Sequence, residues 1–141
     1  SFGIDAVLVK AYDLDLQKVM NLIKQDSMLN QKLAHAKEGI RALYDNDFAT
    51  SIREFWIVIE EENLALSKKY DNLRHAVNHK IIDGSDAIAD LNENFGISIE
   101  VGEYLNINDP QVQDILEKNA REMQKLVLNY LNSELYSNSF I

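Results

Sequence analysis

One proline and five glycines in 141 residues set the tightest bound on what this chain can fold into. An all-β domain needs a turn roughly every 8–12 residues, and such turns draw on Gly and Pro. Instead of that punctuation, apolar residues recur at three- and four-residue steps along most of the chain, so the expected class is all-α. A length of 141 residues suits one domain and is short for two, and 46% hydrophobic residues can fill a core. The expectation is a single helical domain over 1–141, a bundle of five to six helices, with residues 1–12 either an arm or the remnant of a longer chain.

The stripes place the helices. Leu16, Val19, Met20 and Ile23 keep helical step from Asp13 onward. Leu29, Leu33, Ala36, Ile40 and Leu43 mark the next helix, closed by Asp45-Asn46-Asp47. Asp47 is a suitable N-cap for a helix with Ile52, Phe55, Trp56 and Ile59 on its buried face. Leu66, Tyr70, Leu73, Val77 and Ile81 continue the rhythm, and periodicity leaves open whether 48–82 is one helix or two broken around Ser67. Asp83-Gly84 reads as a stop, Ser85 as the cap of a short helix, and Gly96 as its left-handed terminus. Ile97-Ser98-Ile99-Glu100-Val101 alternates apolar and polar, which predicts an extended connection. Asp109-Pro110 then combines an N-cap with a proline at the first helical position, opening a last helix to about Glu134.

The absence of cysteine excludes disulfide scaffolds, thiolate metal sites and cysteine nucleophiles. Apolar runs such as Ala6-Val7-Leu8-Val9 and Phe55-Trp56-Ile57-Val58-Ile59 fall far short of the roughly 20 residues a membrane span needs, and no secretory leader is visible. No membrane association is expected, and the expected location is cytoplasmic. A net charge of −9 opposes broad polyanion binding, but the charge is unevenly spread. Residues 81–117 carry nine acids and no Lys or Arg, whereas residues 68–80 hold Lys68, Lys69, Arg74 and Lys80 against Asp71 alone. His75 and His79 share that basic window.

The window Tyr70-Asp71-Asn72-Leu73-Arg74-His75-Ala76-Val77-Asn78-His79-Lys80 sets an Arg and a His five positions apart on a helix. In this it resembles the HEPN superfamily, whose signature is Arg, four to six residues, then His, commonly with a polar residue after the Arg. The resemblance implies an HEPN-like bundle acting as a metal-independent endoribonuclease, or as a relative that binds RNA or nucleotide. Arg74 and His79 would be the catalytic pair, Arg74 gripping the phosphodiester and His79 moving protons at the 2′-hydroxyl and the leaving 5′-oxygen. Attack by that hydroxyl leaves a 2′,3′-cyclic phosphate and spares DNA. His75, Asn78, Tyr70 and Lys80 are the companion substrate-binding candidates: a second proton carrier, a phosphate or imidazole holder, a base-stacking ring and a cation. Five residues advance a helix by about 500°, leaving Arg74 and His79 about 140° apart around the axis. The helix must therefore bend, Arg74 must curl, or two copies must meet. The resemblance implies the last, a homodimer with a composite cleft, and leaves room for an antitoxin-type protein partner.

Other readings of these residues stand beside that one. His75 and His79 are spaced i, i+4 and share a face, yet a metal site needs further ligands and no Glu-x-x-His pattern occurs. No metal or cofactor is expected. One acid of Glu60-Glu61-Glu62 can orient Arg74 from the preceding segment, or all three can form a solvated face. The alternative function is a non-catalytic acidic helical bundle that binds a protein partner, with the acid-only stretch 81–117 as its contact face.

Overall fold

The stripes become the buried faces of helices in the computed structural model, which describes residues 27–61, 64–81 and 84–139. Its five helices are α1 (Ser27–Tyr44), α2 (Phe48–Ile59), α3 (Leu64–Asn78), α4 (Ser85–Phe95) and α5 (Pro110–Ser139). No strand occurs among the described residues, so the chain is all-α. The helix expected from Asp13 and the arm over 1–12 lie outside the described residues.

Helix α2 is the centre of the bundle, packed on α1, α3 and α5, while α4 rests on α3. Its sequence explains that place: seven of its 12 residues are buried, including Ile52, Phe55, Trp56 and Ile59, so apolar surface faces more than one neighbour. Leu33 and Ile40 from α1, Leu73 from α3 and Leu116 and Met123 from α5 complete a continuous core with no exposed surface. Helices α1 and α2 come closest at Gly39, where a Cβ would overlap Cδ1 and Cε1 of Phe55. Ser51 locks the same crossing by donating its hydroxyl to the Gly39 carbonyl at 2.8 Å.

Local chemistry sets several helix boundaries where the sequence predicts, although α5 runs to Ser139, past its expected end near Glu134. Asp47 caps α2 by accepting from the Thr50 N–H at 3.2 Å. Gly96 closes α4 at φ 70°, its N–H on Asn92 and that of Ile97 on Leu91. Asp109 accepts the Gln111 N–H at 2.8 Å at the head of α5. Ser85 differs from expectation. It is the first helical residue, and Gly84 stands at the cap position with no side-chain bond.

Residues 48–82 form two helices, and the break falls between Ile59 and Leu64 rather than at Ser67. Ser67 is buried inside α3, with its hydroxyl donating to the Leu64 carbonyl. Helix α3 also stops at Asn78, before Asp83-Gly84. The cause is Ile81, which leaves the helix axis to exchange backbone bonds with Glu103 and Gly102 and is thereby buried. The connection from 97 onward alternates as predicted, with Ile97 and Ile99 inward and Ser98 and Glu100 exposed.

Candidate functional site

The C-terminal end of α3 gathers most of the polar residues singled out in the sequence. His79 is one residue beyond the helix, yet its N–H still bonds the His75 carbonyl at 2.9 Å. That bond keeps the i, i+4 relation, and the two imidazoles stand with centroids 5.2 Å apart. Asn78 lies between them in sequence and is held on both sides. Its Nδ2 donates to the Arg74 carbonyl at 3.0 Å, and its Oδ1 accepts from Arg53 Nη1 at 3.2 Å. Lys80 extends over the ring of Tyr104, from the connection before α5, at 5.6 Å.

His75, Asn78, His79, Lys80 and Tyr104 line one open cavity of about 430 Å³. His79 and Lys80 are exposed, His75 and Asn78 half-buried, and Tyr104 is 67% exposed. The wall has no carboxylate. Arg53 makes its hydrogen bonds to neutral groups only, Asn78 and the Thr50 hydroxyl. Among the described residues no ion pair engages Arg53, Lys80, His75 or His79. On a strongly acidic protein this is a local patch of uncompensated positive charge and donors, able to hold an anion.

Arg74 is placed differently. Its guanidinium stacks on Trp56 of α2 at 4.0 Å, and Nη2 pairs with Asp71 one turn back. The Nε–H is buried with no hydrogen-bond partner. The guanidinium is thus absent from the cavity wall, and Arg74 reaches the cavity through its carbonyl on Asn78. Of the acids that could orient Arg74 from the preceding segment or form a solvated face, Glu60 and Glu61 are exposed and Glu62 lies outside the described residues, while Arg74 pairs with Asp71 on its own helix. The large angular offset between Arg74 and His79 persists within one protomer, since the i, i+4 bond carries His79 toward His75.

Tyr70 is a correction. It is only 1% exposed, its ring lies 6.3 Å from that of Phe95, and its hydroxyl donates to Glu122 at 3.4 Å. A buried ring cannot stack a base. Burial raises its phenol to about 12, helped by the nearby charge of Glu122 and the hydrogen bond to it. The exposed aromatic at the cavity is Tyr104.

Sequence reasoning missed Arg53 and Tyr104. Arg53 is the one cation in a largely apolar helix, and that isolation was a usable signal. Tyr104 lies in a segment without helical period, and only the pairing of Ile81 with residues 102–103 brings it to the end of α3. Among the described residues no three His, Asp or Glu side chains converge as a metal-binding group. No described helix is long and apolar enough to cross a membrane. Comparison with protein-family models, with curated proteins and with solved structures yields no match.

Proposed function

We propose that this chain is an HEPN-like, metal-independent endoribonuclease domain acting on single-stranded RNA in the cytoplasm. The observation that carries the reading is the pair of imidazoles 5.2 Å apart on a cavity bordered by amide and cationic groups and by no carboxylate. Both imidazoles border one cavity, so a phosphodiester seated in it can meet the two. One takes the proton of the 2′-hydroxyl as its oxygen attacks phosphorus, and the other gives a proton to the 5′-oxygen as its bond to phosphorus breaks. The products are a 2′,3′-cyclic phosphate and a free 5′-hydroxyl, and the two side chains exchange protonation states.

The remaining residues take supporting roles. Lys80 and Arg53 hold the phosphate oxygens, with Asn78 fixed between Arg53 and the α3 backbone as a rigid donor–acceptor. Tyr104 offers a face to a base on the outer side of the cavity. Arg74 acts in the protomer as a positioning residue, because its guanidinium is committed to Trp56 and Asp71 while its carbonyl holds Asn78. A second copy meeting this open cavity would supply the homodimer that the family resemblance implies.

The test is cleavage of a 5′-labelled single-stranded RNA by the full chain in EDTA. The expected result is cyclic-phosphate ends, no cleavage of the matching DNA, and a loss of about 100-fold or more for His79→Ala and for His75→Ala. Cleavage that persists in the double variant would remove both imidazoles from the chemistry.

A further inference from the structure

A second concave surface lies along the 97–103 connection and shares no lining residue with the imidazole cavity. This groove of about 880 Å³ runs between α4 and the connection. Ile88, Ile97 and Ile99 form its apolar floor, and Val101 stands at its lip, 56% exposed. Glu93, Glu100 and Glu103 stand around it. Its wall is also a partly unused backbone edge: among the described residues no backbone hydrogen bond engages Ser98, Ile99 or Val101, while Glu100 gives its N–H to the Glu103 carboxylate at 2.9 Å and accepts the Glu103 N–H at 3.1 Å. Extended backbone with free donors and acceptors beside alternating side-chain positions is a template for one more strand.

We infer that this groove takes an extended, cationic and aliphatic segment of another protein, one that alternates Lys or Arg with Val or Ile. Charge decides the occupant. The groove sits within the nine-acid stretch 81–117 that has no Lys or Arg, and among the described residues no ion pair engages Glu93, Glu100 or Glu103. A second copy docking here by the same surface would bring like charges together, which costs binding energy. Residues 1–26 of this chain have three Lys against four Asp, so they offer no cationic complement either. A basic partner strand satisfies the backbone edge, covers Val101 and neutralises the rim together. The surface is separate from the imidazole cavity, so the inference stands or falls independently of RNA cleavage.

The experiment is a polarisation titration of the full chain with labelled peptides at low salt. A Lys-Val-Lys-Ile-Lys-Val-Lys peptide is expected to bind and to shift the amide resonances of residues 97–101. Peptides with Glu in place of Lys, or Ser in place of the aliphatics, are expected to bind about tenfold more weakly or not at all. The Glu93→Gln/Glu100→Gln variant and Val101→Asp should each weaken the first peptide by about tenfold, with RNA cleavage unchanged. Three results overturn the inference. They are equal binding of the Glu peptide, binding unaffected by these substitutions, and an occupied groove in the free protein. Occupancy would show as self-association broken by Val101→Asp, or as 97–101 resonances that move when residues 1–26 are removed.

Discussion

The indole of Trp56 joins two parts of the molecule that the sequence leaves separate. Its Nε1 donates to the Ser67 carbonyl at 3.0 Å, and its face supports the Arg74 guanidinium. A cation over an aromatic face contributes about 0.5–2 kcal/mol, the upper part of that range when desolvated. The Asp71 pair is half-exposed and contributes roughly 0–1 kcal/mol. Arg74→Ala should therefore lower the stability by about 1–2 kcal/mol, and Asp71→Asn by about 0.5 kcal/mol or less, read from urea midpoints. Equal losses would put the weight on the ion pair instead. Tyr70 supplies a second prediction at this scale. Its phenol is held near 12, whereas an unfolded chain ionises its tyrosines near 10. Below about pH 10 both states keep the proton and the stabilisation is complete; as pH rises toward 12 only the unfolded state releases it, so stability falls. The slope should cost the wild type about 2–3 kcal/mol across that window and be absent from Tyr70→Phe, so that it appears in the difference between the two proteins. Parallel alkaline unfolding curves for the two proteins would show that the hydroxyl has no such role.

Between helices, the decisive residue is one that no periodicity reveals. Gly39 lies inside α1, where glycine is ordinarily about 1 kcal/mol worse than alanine. Propensity alone predicts that Gly39→Ala stabilises. The geometry predicts the reverse, because the new methyl would meet the Phe55 ring and the Ser51–Gly39 bond fixes the crossing. Overpacking of about 1–3 kcal/mol should outweigh the propensity gain, leaving a lower melting temperature. A raised melting temperature would mean that α1 and α2 separate at little cost. The same contrast explains what was legible. Helix identity, the Asp47 and Asp109 caps, the Gly96 terminus and the alternation over 97–100 are local signals that the structure keeps, while the alternation ends at Val101, which is exposed in a turn. The break before Leu64 and the early end of α3 were not legible, because tertiary partners cause them. Trp56 reaches across to Ser67, and Ile81 exchanges its helical bonds for Glu103 and Gly102. The candidate site divides likewise: His75, Asn78, His79 and Lys80 are contiguous, whereas Arg53 and Tyr104 arrive from other elements. The burial of Tyr70 follows from its packing against Phe95 and Glu122, again at long range.

For the molecule as a whole, a net charge of −9 and a small cationic patch make opposing demands on any RNA ligand. Most of the surface repels phosphate, so added RNA length gains nothing once the strand leaves the cavity. Lys80 in the cavity wall and Arg53, bonded to the wall residue Asn78, are the two permanent cations on hand, since Arg74 is engaged by Trp56 and Asp71. Two phosphate neutralisations on a single strand give a log K against log salt slope of about −1.4. Salt also screens the repulsion from the acidic remainder, which pushes the slope further toward zero. The expected behaviour is a slope no steeper than about −1.5 for a catalytically silenced His79→Ala protein, measured by fluorescence anisotropy with a short RNA. Substituting Arg53 or Lys80 with Gln should each flatten it by about 0.7, and a longer RNA should leave the affinity unchanged. A slope near −4 would require about six phosphate contacts, which the groups around this cavity cannot provide. RNA would then be held on another face, and the imidazole pair would lose its assigned ligand.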